Sequence, residues 1–149
     1  MHIGAGTKIK AGSYIEGPVA IGEGCEIGPY ATIFSTTSIG NGVSIAPFTT
    51  IYNSMIMNNV SIGSHSHISR AVIDDGCRIG SGLSAPSGMA QVRIEDEFFK
   101  VEKAGSIVGE FTQIGSRAVL SSGAIIGANS RVGNGVKVEG TFEDRSIVV

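Results

Sequence analysis

His65 and His67 lie in the stretch VSIGSHSHISRAV, residues 60–72, and are two of the chain's three histidines. Side chains two positions apart on an extended segment share a face, so the pair could address one ligand. Two chemistries suit such a pair. Neutral imidazoles can ligate a divalent metal, or one imidazole can take a proton from an amine or hydroxyl nucleophile. A tetrahedral metal site needs further protein ligands, and the remaining histidine, His2, is remote in the sequence. No metal is therefore expected. General-base chemistry is the more compatible reading, and a pair of surface or interface histidines stays open beside it.

Other reactive side chains read more plainly. Lys103 follows a polar, apolar-alternating run and could reach a phosphate, or could be an ordinary surface lysine. Cys25 and Cys77 are expected as reduced core thiols rather than a disulfide. Asp74 and Asp75 read as a solvated corner, and the G-x-G strings as turns rather than a nucleotide loop. With eleven basic and thirteen acidic residues the net charge is −2, and no basic block suggests nucleic acid or an anionic membrane as a partner. No apolar run approaches the ~18 residues of a membrane span, and no leader is evident, so a soluble cytoplasmic protein is expected.

The elements that must position these residues follow from a repeat. Isoleucine occupies positions 3, 9, 15, 21, 27, 33, 39, 45 and 51, a period of six. Neither a helix nor a simple strand gives that spacing. The phase resumes at Val108, Ile114, Leu120, Ile126, Val132 and Val138. Fifth positions are small or apolar, from Thr7, Ser13 and Val19 to Thr49 and Met55, and again from Thr112 and Ala118 to Val136 and Phe142. This is the hexapeptide pattern of an all-β, single-stranded parallel β-helix, with three units per coil, about seven coils, and first and fifth residues pointing inward. The 22 glycines supply corner conformations.

Two interruptions shape the helix. The units 51–55 and 68–72 each lack one residue and lie three units apart, so they stack as one tight corner. Residues 85–107 leave the coil as an excursion, dividing a single 1–149 domain into coils at 3–84 and 108–143. The run QVRIEDEFFKVEK inside it reads as a hairpin or extended arm. An arm cannot bury Phe98 and Phe99 alone, and solenoids leave faces that association covers, so a homotrimer is expected. Stacking of every third unit aligns His65 with Phe48 and Gly82, and His67 with Thr50 and Ser84. His67 then sits one strand spacing, ~5 Å, from the root of the arm.

Residues 51–138 resemble the C-terminal domain of bifunctional sugar-1-phosphate nucleotidyltransferase/hexosamine-1-phosphate acetyltransferases, within the hexapeptide-repeat acyltransferase family. The pieces that carry the resemblance are NSMIM (53–57), SRAVIDDGCRIGSG (69–82), the arm, and KAGSIVGEFTQIGSRAVLSSGAIIGANSRVGNGVKV (103–138). The resemblance implies a left-handed coil, acetyl-CoA as acyl donor in a groove at a subunit interface, and a histidine base acting on a sugar amine. Laid on the family's H-L-S/T-Y element, GSHSHI puts Ser64 at the histidine position and His67 at the tyrosine position. Tyr52 stands where the family has a lysine and Ser87 near its asparagine, while Lys103 and the Gly115–Ser116 pair are kept. The fold's carbonic anhydrases carry three histidines at wider spacing, a pattern this sequence lacks.

Two functions follow as expectations. The first is a homotrimeric enzyme moving an acetyl group from acetyl-CoA to a sugar phosphate or nucleotide sugar. His67, or His65 in a slightly different register, would be the base, Lys103 would assist phosphate binding, and backbone groups around Ser116 and Asn134 would contact CoA. The second is a non-catalytic trimerisation and regulatory β-helix domain of a sugar-1-phosphate nucleotidyltransferase. The nucleotidyltransferase half itself is not among these residues.

Overall fold

Isoleucines six apart land on top of one another when the chain turns a corner after each short strand. In the computed structural model, which describes residues 1–149, this happens throughout. The strands form three parallel sheets of eight, eight and seven strands, each the flat face of a triangular prism. The first face runs from His2–Ile3 to Thr141–Phe142, the second from Lys8–Ile9 to Ile147–Val148, and the third from Tyr14–Ile15 to Lys137–Val138. The molecule is a left-handed parallel β-helix of about eight turns and no helix, against about seven expected, because Ile147–Val148 adds a strand beside Arg131–Val132.

The inner columns are dry. Ile27, Ile33, Ile51 and Ile68 have no exposed surface, and each such side chain contributes ~1.5–3 kcal/mol by leaving water. Small hydroxyls at inward positions close the coils on themselves: Thr49 Oγ1 and Ser66 Oγ both donate to Gly63 O, at 3.0 and 2.8 Å. Ile3 and Ile9 keep 41% and 38% of their surface exposed because only one neighbouring turn covers each.

Two inward positions differ from the six-residue expectation. Met55 faces outward, and Ser54 occupies the interior in its place, because the shortened corner brings the inward phase forward by one residue. Phe142 takes a strand position opposite Ile126 rather than a fifth position, because the unit begun at Val138 is two residues short of six and Phe142 opens the next one. The shortened units stack as expected, with Arg70 N donating to Tyr52 O at 2.9 Å.

Ala85 and Ile107 still belong to the coil, pairing with Ile68 and Val72. Between them the chain makes an antiparallel hairpin of Gly88–Ile94 and Glu97–Ala104. Glu95 and Asp96, both at positive φ, form its two-residue turn, which matches the right-handed twist of the strands. The root of the arm is fixed by a 2.8 Å hydrogen bond between Ser69 and Ser87. Its base lies on the next turn, where a Cβ at Gly123 would come within 2.7 Å of the Ala90 methyl. Phe98 and Phe99 remain 64% and 46% exposed.

Candidate functional site

His67 sits in the third face, on the strand His67–Ser69, between Thr50 on one neighbouring strand and Ser84 on the other. Its backbone is locked by the bond from His67 N to Leu83 O at 2.8 Å, and Ile68 anchors the strand in the core. The imidazole is exposed, as alternation about a buried Ile68 requires. The Ser69–Ser87 bond ties the same strand to the arm, so the wall at His67 and the root of the arm are rigidly joined. The arm's base rests on the turn beyond Ser84, which leaves the wall at His67 open.

His65 occupies a different place. It lies on the corner between second and third faces with φ 57°, a conformation this corner also imposes on Tyr30, Phe48 and Arg117. There the rings form a ladder. Tyr30 stacks on Phe48 with centroids 5.5 Å apart and planes within 3°, and Phe48 meets His65 at 5.1 Å. On the far side of the same face Phe34 and Tyr52 meet at 5.7 Å, and Tyr14, which is in register with Thr32, meets Phe34 edge-on at 6.5 Å. The outward column Thr32, Thr50, His67 thus lies between two rows of aromatic rings. The sequence reading missed these rows. The stacking rule that aligned His65 with Phe48 would also have aligned Phe48 with Tyr30, one turn further along.

The other expected site residues are dispersed. Lys103 is exposed on the second strand of the arm, next to Ala104 at the root. Ser116 and Asn134 lie two and three turns beyond the histidines, on the corner between second and third faces. The Asn134 side chain is already engaged: its Oδ1 accepts from Ser116 N at 2.9 Å. Asn41 and Asn58 make the same stitch to Glu23 N and Asn41 N, at 2.8 Å each, so the contact is part of how corners are held together. Ser64, at the resembled family's histidine position, donates to Ser81 Oγ at 3.3 Å.

His2 is on the first face in the first turn, beside Ala20, and is not brought to the other histidines. No three His, Cys, Asp or Glu side chains are grouped to hold a metal ion. Cys25 and Cys77 are both buried free thiols, as expected. Burial pushes the Cys77 thiol up to about 11, with Asp74 and Asp75 adding to the effect. A thiol held in its neutral form is an inert one, so it is a packing group and no nucleophile.

As an arrangement, the third face offers one exposed imidazole flanked by hydroxyls on a rigid wall. It can accept a proton from a nucleophile laid along the column, and the hydroxyls can orient that nucleophile.

The family described as GMPPB C-terminal domain matches residues 15–99, and the bacterial transferase hexapeptide (six repeats) family matches residues 105–140. No curated protein matches the chain. Among solved structures, a mutant of AntD, an N-acyltransferase from Bacillus cereus in complex with dTDP and coenzyme A, superposes with a TM-score of 0.65. It is 17% identical and covers 96% of this chain and 76% of its own. NeuO, a polySia-specific acetyltransferase, superposes with a TM-score of 0.50 at 12% identity, over 95% of this chain and 77% of its own. At such identities these neighbours establish the β-helix fold alone. The first family match spans more than half of the chain, and the chain therefore belongs to the GMPPB C-terminal domain family.

Proposed function

We propose that this chain is a CoA-dependent acyltransferase that moves an acetyl group from acetyl-CoA to an amine or hydroxyl of a sugar phosphate or nucleotide sugar. The observation that carries the reading is His67, exposed in the third face between Thr50 and Ser84 and joined to the arm through Ser69. In the reaction His67 accepts the proton of the acceptor's amine or hydroxyl as that atom bonds to the thioester carbon. The carbon–sulfur bond then breaks, and the CoA thiolate leaves and is protonated. Positioned bases of this kind contribute ~10²–10⁴-fold. The AntD complex with dTDP and coenzyme A supports the choice of donor and acceptor class by likeness of fold.

Lys103 assists a phosphate of the acceptor, and backbone groups around Ser116 and Asn134 contact CoA. The active form is a homotrimer in the cytoplasm. Its assembly is supported by the outward column of the first face, where Met55, Val72 and Ile107 lie in register as an exposed apolar stripe that half-buried Ile125 continues. Contiguous apolar surface of this kind marks association.

Membership of the GMPPB C-terminal domain family favours a second reading, a non-catalytic trimerisation and regulatory domain of a sugar-1-phosphate nucleotidyltransferase. Calorimetric titration with acetyl-CoA at millimolar concentration separates the two. The enzyme gives a saturable heat, and turnover with an amino-sugar phosphate that His67→Ala lowers by ~10²–10⁴-fold. The domain gives neither.

A further inference from the structure

The second face carries its charge unevenly. Its outward column reads Ser61, Arg78, Gln113, Arg131 and Ile147 on successive strands, paired in that order. The two guanidinium groups are therefore two strand steps, roughly 10 Å, apart at their backbones, with an amide between them. They line a groove of about 530 Å³ and are the only charged side chains in its lining.

The floor of that groove is bare main chain, for a reason built into the coil. A Cβ at Gly80 would lie 2.6 Å from Ser116 N, and one at Gly115 would lie 2.6 Å from Asn134 N. Adjacent turns thus exclude side chains here, and a channel runs beside the arginine column.

Neither arginine is neutralised. The chain's ion pairs are Lys10–Glu26, Arg93–Asp96 and Lys137–Glu139, and none includes Arg78 or Arg131. In a protein of net charge −2, two unpaired guanidinium groups converging with an amide on one concave site form a local excess of donors. Planar guanidinium forks match phosphate oxygens bidentately, and a spacing that two extended side chains can close suits two linked phosphates.

We propose that this groove is a diphosphate-binding site, with Arg78 and Arg131 each gripping one phosphoryl group and Gln113 donating its amide N–H between them. The ligand class is a diphosphate ester, whether of a nucleoside diphosphate or of coenzyme A. The site lies on a different face from His67 and does not rest on that residue acting as a base; for coenzyme A as the carrier it rests on the donor site proposed around Ser116 and Asn134, whose backbone borders this groove.

The test is calorimetric titration of the full chain with inorganic pyrophosphate at low ionic strength, where screening is weakest. Wild type should saturate. Arg78→Ala and Arg131→Ala should each weaken binding about tenfold, and the double variant about a hundredfold. Because both side chains are outward and unpaired, thermal melts should be unchanged. Arg78→Lys/Arg131→Lys should bind between wild type and the double alanine variant, since an ammonium keeps the charge without the fork. Arg93→Ala, on the arm, should bind like wild type. Displacement of pyrophosphate by dTDP or by coenzyme A identifies the carrier. The proposal is overturned if wild type shows no binding, if the double alanine variant binds as wild type, if Arg93→Ala loses as much, or if neither carrier displaces pyrophosphate.

Discussion

The ring of His65 lies 5.1 Å from that of Phe48, whereas His67, two residues on, stands in register between Thr50 and Ser84. One imidazole continues an aromatic stack, and the other opens onto a wall of hydroxyls. The two variants should therefore separate. His67→Ala should lower acetyl transfer by ~10²–10⁴-fold with little change in melting temperature. His65→Phe should retain activity, because Phe48 already adopts the same positive φ in the same column. Equal losses in both variants would remove the distinction between them.

Cys77 ties stability to alkaline pH. Its thiol is raised from 9.0 to about 11 because burial disfavours the thiolate. A group whose folded-state value is raised contributes stability that is complete below the unfolded-state value and is lost as pH climbs through the folded one. Between pH 9 and 11 the chain should thus lose up to about 2–3 kcal/mol through this residue, and nothing through it below pH 9. Urea midpoints measured from pH 8 to 11 test the window. The Cys77→Ala chain, though less stable throughout, should lack this part of the alkaline decline.

The coil was legible in the sequence because burial enforces its period. Each Ile must stack on the one three units away, and a single shift would expose a whole column. The shortened corner at 51–55 was readable for the same reason, yet Met55 was misplaced until the corner's effect on phase was applied. The candidate site was only partly legible. Register alone put His67 beside Thr50 and Ser84, since pairing is fixed by the core. The aromatic ladder at Tyr30 and Phe48 and the arginine column at Arg78 and Arg131 are built from outward residues, on which the inward pattern places no demand.

The arm predicts the assembly state. A two-stranded hairpin is marginal by itself, and Phe98 and Phe99 remain exposed on this one. In a trimer they are covered by a neighbouring subunit. Sedimentation equilibrium should give a mass of three protomers for wild type and a smaller species for Phe98→Glu/Phe99→Glu. A double variant that stays trimeric would leave the first-face stripe of Met55, Val72 and Ile107 as the sole interface.

Ser106 holds the one buried side-chain oxygen without a hydrogen-bond partner. It lies where the arm rejoins the coil, with 1% of its surface exposed, and its own carbonyl accepts from Val72 N at 2.9 Å. Other inward hydroxyls find a carbonyl: Thr112 donates to Gly127 O of the neighbouring turn at 3.1 Å, and Ser54, in the column of Ser106, donates to Tyr52 O at 2.8 Å. The arm interrupts that geometry at Ser106. An unsatisfied buried hydroxyl costs ~1–3 kcal/mol, and alanine already fills equivalent inward positions at Ala118 and Ala124. Ser106→Ala should therefore raise the urea midpoint by the equivalent of about 1 kcal/mol with an unchanged slope. A fall of that size would mean that the hydroxyl finds a partner in solution, and that the interior at the arm's return is not dry.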